Sequence, residues 1–358
     1  MHDSTNGLAC QGRDDLLQLA KKRRSNDVIM PWMRKHLSDA AFASMEHCGD
    51  YLVMLEDETR RHRKLDVGFF CRQRLCSGCA WRSAVKSAQC IAAIAQALAN
   101  DGRIMIMVTL TVPNCPAEDL RRTIQHIGRS WHKLLKRAQY AAWADNVRKI
   151  EITYNAAAET YHPHMHCVVF VRPGYFKGKS YISQAQLLRD WRGVTGQPEI
   201  TQVDVRRCRD RGSTNAILEV AKYSAKASDY AQSEAVLDTM YTALHHTRTM
   251  TYAGRCKELR REYELGHLEQ YEEIDTVRYT MRVVYIWQQV TSGKWSYAEH
   301  DAQPYDMDEA EAARLVRDEQ RAVTVAMEAA QRADKLDHFL KTSWVREFRD
   351  LDAVEVIG

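Results

Sequence analysis

Three histidines stand at alternate positions in Tyr161-His162-Pro163-His164-Met165-His166, just before the apolar run Cys167-Val168-Val169-Phe170-Val171. Residues two apart on an extended chain project from the same face. His164 and His166 therefore present two imidazoles side by side, as one metal ion requires. A carboxylate is available from Lys149-Ile150-Glu151-Ile152-Thr153, where antiparallel pairing would carry Glu151 beside the histidines. Two imidazoles and one carboxylate leave coordination positions open for phosphate oxygens. Such a set suits Mg²⁺ or Mn²⁺, with Mn²⁺ tolerating imidazole better. A non-haem iron oxygenase would want His-x-Asp/Glu and a distant histidine. A cupin would want a glutamate shortly after the pair. No acidic residue occurs between Cys167 and Val171, which weakens both rivals.

A second set follows in Glu219-Val220-Ala221-Lys222-Tyr223-Ser224-Ala225-Lys226. Glu219 and Tyr223 are four apart and Lys226 three further, so a helix would line all three on one face. With a reference pKa of about 10, roughly one tyrosine in a thousand is ionised near pH 7. It becomes a useful nucleophile only against a phosphate that a cation polarises and holds in line. Lys226 could stabilise the attacking phenolate or the leaving oxygen. Alone, the pattern is ordinary helix surface; following the histidine strand gives it weight. Tyr230, seven residues on, is expected to pack or to contact DNA rather than to act as a second nucleophile.

The chain has ten cysteines, unevenly spaced. Cys71-x4-Cys76-x2-Cys79 holds the close thiolate pair of a structural Zn²⁺ site. Cys48 is the best fourth ligand and His62 the alternative; three buried thiols without a metal is the plainer reading. Arg72 and Arg74 lie in the same loop, placed to grip a DNA backbone.

These side chains need elements to hold them. Periodicity predicts a strand over 104–112, an amphipathic helix over 117–142 and a hairpin from 148–154 and 164–171. A helix over 183–192, a strand over 200–206 and a helix over 214–229 follow. That order is a split βαβ arrangement, with helices on one side of an antiparallel sheet and the other side free to carry a site. Beyond residue 250 a second hairpin, 277–289 with 294–299, precedes a charged helix over 307–340. The fold class is α+β: a ferredoxin-like core, an N-terminal cysteine-rich module and a mainly helical C-terminal extension.

Composition sets the outer limits. Hydrophobic residues make up 45% and charged residues 27%, a globular balance. The first fifteen residues lack the apolar core of a secretory signal, and no apolar run could span a bilayer. A cytoplasmic protein with reduced thiols is expected. The net charge of +4 permits a nucleic-acid partner without demanding one. Three clusters are dense enough to meet phosphates: Lys21-Lys22-Arg23-Arg24, Arg60-Arg61-His62-Arg63-Lys64, and the run from Arg206 and Arg207 to Arg211.

The motifs together resemble the rolling-circle plasmid replication initiators of the HUH endonuclease superfamily, in the branch with one nucleophilic tyrosine. Val108-Thr109-Leu110-Thr111-Val112-Pro113-Asn114 is similar to that family's first motif, and the histidine, tyrosine and cysteine motifs occur in its order. The likeness spans residues 48–265; Ser77 stands where the branch commonly has proline, and the tail after Tyr285 matches nothing. It implies His164, His166 and, less firmly, Glu151 as ligands of a divalent ion. It implies Tyr223 as the nucleophile that leaves a 5′-phosphotyrosine and a free 3′-hydroxyl, and Glu219 as the activator of a water that ends the cycle. Single-stranded DNA and an origin duplex or hairpin would be partners, with a host helicase and polymerase downstream and a homodimer left open. The domains would be a basic arm (1–45), a zinc module and helix (46–100), a nicking domain (101–250) and an accessory region (251–358). A mobilisation relaxase or single-strand transposase shares this chemistry; a zinc-containing DNA-binding regulator without catalysis is the alternative from another class.

Overall fold

The computed structural model describes residues 15–178, 180–208, 211–222, 224–271 and 276–308, with the side chains of Arg211 and Gly212 left aside. The chain opens with α1 (Asp15–Asp27), α2 (Met30–Met33) and α3 (Asp39–Glu46), then β1 (Tyr51–Glu56), β2 (Arg63–Gly68) and α4 (Ser77–Asn100). A central series follows: β3 (Ile104–Thr111), α5 (Leu120–Leu135), β4 (Asn146–Asn155), β5 (Thr160–Val171), α6 (Gln184–Thr195) and β6 (Val203–Arg207). The rest comprises α7 (Arg211–Ala221), α8 (Ala227–Tyr230), α9 (Glu234–Leu244), β7 (Met250–Ala253), α10 (Arg255–Glu264), β8 (Met281–Thr291) and β9 (Lys294–Pro304). Of the second compact unit, Pro304–Gly358, only residues 304–308 are described. The charged helix expected over 307–340 lies outside the described residues but for its first two.

The central sheet has the order β6-β3-β5-β4-β7, with antiparallel pairing at every step. It is the split βαβ arrangement, extended by β7 at the β4 edge. Strand alternation explains its two faces. Ile106, Val108, Leu110, Ile150, Ile152, Met165, Cys167 and Val169 turn to one side, where they share a core with Ile124, Ile127 and Trp131 of α5 and Trp191 of α6. Each such side chain, fully buried, contributes about 1.5–3 kcal/mol.

The opposite face is not bare, as the sequence had suggested. Met105, Met107, Val147, Val168 and Phe170 are covered there by α4, α7 and α10, through Ile91, Ile94, Leu98, Ile217, Val220 and Leu259. The apolar stripe of α4 has to be buried somewhere, and this face takes it. Toward one end of the strands the same face turns polar, with Thr109, Thr111, Lys149, Glu151, His164 and His166 in the same alternation.

Two predicted helices end early. α5 stops at Leu135, and a 3₁₀ segment, Ala138–Trp143, buries Tyr140 and Trp143 while Arg137 and Tyr140 reach Asp190. The helix expected over 214–229 is interrupted between Ala221 and Ala227. Beyond Lys149 the ladder with β7 ends, and the β4 edge donors take other carbonyls: the Ile150 N–H donates to Thr249 O (2.8 Å) and the Ile152 N–H to Ser224 O (2.7 Å). Pairing with a strand edge is incompatible with helix at Ser224, so the helix breaks there.

A second sheet has the order β2-β1-β8-β9. β1 pairs antiparallel with both β2 and β8, so the last hairpin is stitched to the cysteine-rich segment rather than standing apart.

Candidate functional site

The metal-capable groups come from adjacent strands in direct register. Glu151 on β4 is opposite His164 on β5, and His164 and His166 are opposite Thr111 and Thr109 on β3. His164 Nε2 and His166 Nε2 lie 3.4 and 3.2 Å from Glu151 Oε2. An octahedral cation with ligands at about 2.1 Å sets neighbouring ligand atoms about 3 Å apart, close to these separations.

The imidazoles are aimed by what holds their other nitrogens. His164 Nδ1 faces the His162 carbonyl at 3.2 Å, so it must carry the ring proton; His166 Nδ1 meets Thr109 Oγ1 at 3.4 Å. The His164 Nε2 lone pair is thereby left for a cation, and His166 Nε2 is left likewise in the tautomer whose Nδ1–H donates to the Thr109 hydroxyl. His166 Nε2 is buried and makes no hydrogen bond among the described residues, although it lies 3.2 Å from the Glu151 carboxylate. The two groups converge on a shared point instead of aligning on each other, which is how ligands of one ion are disposed. Burial would raise the carboxyl pKa of Glu151, but His164 and His166 outweigh it and hold the group well below the usual carboxylate range. The site can hold a metal.

His162 is not part of the set. It stacks on His164 at 5.4 Å between ring centroids, and its Nδ1 bonds Asn114 Oδ1 at 2.8 Å. Burial and the neighbouring His164 push its pKa down.

The tyrosine segment reaches this site from both ends. Glu219, in the last turn of α7, places Oε1 3.5 Å from His166 Nε2 and also takes the Lys222 ammonium. Lys226 Nζ lies 3.6 Å from Glu151 Oε1. Lys226 does not share a helical face with Glu219, because the chain leaves the helix between them; the edge pairing of Ser224 delivers it instead. Tyr223 lies outside the described residues. Tyr230 is 2% exposed, and its hydroxyl donates to Leu75 O at 2.9 Å and meets Ser77 Oγ at 3.3 Å, so it packs.

The four predicted cysteines come together. Cys48 Sγ is 3.5 Å from Cys76 Sγ and 3.6 Å from Cys79 Sγ, and Cys71 Sγ is 3.6 Å from Cys79 Sγ. A disulfide needs about 2.05 Å. Four thiolates about 2.3 Å from a zinc ion form a tetrahedron with edges of about 3.8 Å, close to the spacing found. Backbone N–H groups of Cys71 and Arg72 point at Cys48 Sγ and Cys79 Sγ (3.4 and 3.2 Å). These four atoms too can hold a metal. His62 turns away to Asp57.

Asn26 was not foreseen from the sequence. It is buried, donates to Cys76 Sγ at 3.2 Å, and accepts the Ser77 N–H at 2.8 Å, capping α4 from α1. An isolated asparagine in a basic helix carries no signal of this. Lys149 and Thr109 were legible in principle, since both sit in phase with the site residues on their strands.

The basic clusters are largely committed elsewhere. Arg60 and Arg63 pair with the buried Glu56, and Arg23 pairs with Asp50 and Asp27. Arg206, exposed on β6, has Asp204 at 3.6 Å, and Arg207 lies 5.1 Å over the Phe176 ring. Arg74 Nη1 donates to the Leu244 and Thr247 carbonyls (2.6 and 2.8 Å), which ties the cysteine loop to the end of α9. Arg72 remains exposed, with a left-handed φ of 59° that lets its N–H point at Cys79.

Comparison with known proteins agrees with the motifs. A family model described as "Replication protein" matches residues 62–301. A "Protein rep" of Staphylococcus aureus is 36% identical over 213 residues, 59% of this chain and 93% of that protein. A "Protein rep" of Streptococcus pneumoniae serotype 2 is 31% identical over 258 residues, 68% and 80% of the two chains. Another, from Bacillus amyloliquefaciens, is 32% identical over 283 residues, 70% and 82%. No solved structure matches. Among the described residues no helix is long and apolar enough to cross a membrane.

Proposed function

The chain belongs to the replication-protein family of rolling-circle plasmid initiators, and from that premise we propose that it starts replication by nicking one strand of the plasmid origin through Tyr223. The observation that carries this reading is the convergence of Glu151, His164 and His166, with a buried His166 Nε2 that makes no hydrogen bond among the described residues. Glu151, His164 and His166 would hold a Mg²⁺ or Mn²⁺ ion, which when bound draws charge from the scissile phosphate.

The chain's own groups do the rest. The Tyr223 oxygen attacks phosphorus, the bond to the 3′-oxygen breaks, and the tyrosine proton is matched by one taken up at the departing 3′-hydroxyl. One diester replaces another, so the energy of the broken bond is kept in the 5′-phosphotyrosine and resealing needs no ATP. Lys226, against Glu151, adds positive charge beside the reacting phosphate. Glu219, held between His166 and Lys222, activates the water that releases the adduct at the end of the cycle. The cysteine set would hold Zn²⁺, a structural ion that fixes the loop at the head of α4.

An oligonucleotide carrying the origin nick region, incubated with the protein and Mn²⁺, tests these roles on one denaturing gel. His164→Ala with His166→Ala should abolish cleavage while leaving the fold and salt-sensitive binding. Glu219→Ala should form the adduct and release it poorly. Origin binding with no cleavage by the unaltered protein would favour the non-catalytic regulator instead.

A further inference from the structure

Arg23, Arg60 and Arg63 of the basic clusters are paired with carboxylates, while lysines and arginines without a carboxylate partner among the described residues collect around one cleft. A cleft of about 770 Å³ opens between the cysteine loop, the start of α4, the β4–β7 edge and α10. Among the described residues, eight of its lining side chains are lysine or arginine and the one carboxylate is Glu264, which Arg260 already takes at 2.8 Å. Lys222 is likewise held by Glu219. Among the described residues the other six, Arg72, Arg74, Arg82, Lys86, Lys149 and Arg248, have no carboxylate within 4 Å. Cations gathered in one cleft repel one another and lose hydration, and beyond the Cys79 thiol group that faces Arg82 an anion with several charges would relieve both.

The cleft is also continuous with the nicking site. Lys149, on its floor, is opposite His166 in the strand register. Ala221, Lys222, Ser224 and Ala225 line it, while Glu219 and Lys226 at the ends of the same segment touch the metal-capable residues. Glu219 and Lys226 therefore meet the metal face, while Ala221, Lys222, Ser224 and Ala225 between them line the cleft.

We propose that this cleft holds the sugar–phosphate backbone of the single strand next to the cleaved phosphate, gripping it by charge without reading its bases. The proposal rests on the nicking reading for the identity of the strand. Its volume is in the range that encloses a drug-sized ligand, so about two nucleotides. Two of the aromatic rings that line it are covered: Arg82 lies 3.7 Å over the Phe70 ring and Arg260 4.8 Å over Tyr252. Guanidinium groups rather than free rings meet the ligand, which favours phosphate contact over base stacking.

The test is binding of a labelled single-stranded oligonucleotide over a range of salt, without divalent ion. Each phosphate contact contributes about 0.7 to the slope of log affinity against log salt. Arg82→Gln with Arg248→Gln should lower that slope by about 1.4 and weaken binding about 25-fold at 0.1 M salt. Arg82→Lys with Arg248→Lys should restore most of both. Unchanged affinity and slope in the glutamine variant, or a loss confined to duplex DNA, would overturn the proposal. A second measurement needs no variant: acylation of the exposed Lys86 in the unaltered protein should be suppressed by saturating single strand, and equal modification with and without it would overturn the cleft as the site. Neither readout requires cleavage, so a protein that never nicks still gives both. A Tyr223 adduct with an unprotected Lys86 removes only the cleft.

Discussion

Lys149→Met is expected to stabilise the protein while weakening its hold on DNA. The Lys149 ammonium is largely buried, and burial, with Arg74 nearby, pulls its pKa from 10.5 down to about 8. Below pH 8 the side chain is charged in folded and unfolded chains alike, and the penalty for enclosing that charge is fully present. Between pH 8 and 10.5 the folded chain gives up the proton first, so the penalty fades and stability rises. At about 1.4 kcal/mol per unit the shift corresponds to about 3 kcal/mol, and screening by solvent at the partly open side chain reduces this to about 1–2 kcal/mol. Methionine keeps the length and the apolar stem but carries no charge. Urea unfolding at pH 7 should therefore show the variant more stable by about 1–2 kcal/mol, with the gap closing by pH 10.5. Single-strand affinity at 0.1 M salt should fall about fivefold, one phosphate contact's worth. A variant less stable at pH 7, or a gap equal at both pH values, would refute the reasoning.

Other perturbations separate roles within the fold. Tyr230→Phe leaves the Leu75 carbonyl without its buried donor and should cost about 1–3 kcal/mol of stability with adduct formation intact. Unchanged stability with lost turnover would make Tyr230 a second nucleophile. Metal analysis should find one tightly held zinc per chain that Cys79→Ser releases, with a lower melting temperature; a metal-free protein melting identically before and after the substitution would leave four buried thiols. Asn26→Ala should lower melting by removing both the α4 cap and a contact to Cys76, about 1–2 kcal/mol, and an unchanged melt would assign that helix to other contacts.

The legible parts of this molecule are those in which one segment fixes the outcome. Alternation in His164–Val171 and in Lys149–Thr153 puts Glu151, His164 and His166 on one face, and the hairpin brings them together in the structure. The cysteine spacing announces a cluster, and Cys48 joins it in the structure. What escaped reading depends on distant partners. The end of α7 is set by the Ile152 N–H of β4, far upstream, which draws Ser224 out of the helix. Lys226 reaches Glu151 for that reason and not through helical spacing. The covering of the site face by α4 follows from a stripe whose partner no local pattern names. Charge was legible only in part: Arg60 and Arg63 pair with the buried Glu56, and Arg72 and Arg74 of the cysteine loop are joined at the cleft by Arg82 and Lys86 of α4 and by Lys149 and Arg248 from distant segments.

The most direct measurement is a search for the covalent protein–DNA adduct. The purified protein would be incubated with single-stranded DNA containing its plasmid's origin and Mn²⁺, and the adduct digested and mapped by mass spectrometry. The account predicts a nucleotide linked through phosphate to Tyr223 and no adduct from Tyr223→Phe. An adduct on another residue, or cleavage at the normal rate by Tyr223→Phe, would contradict it.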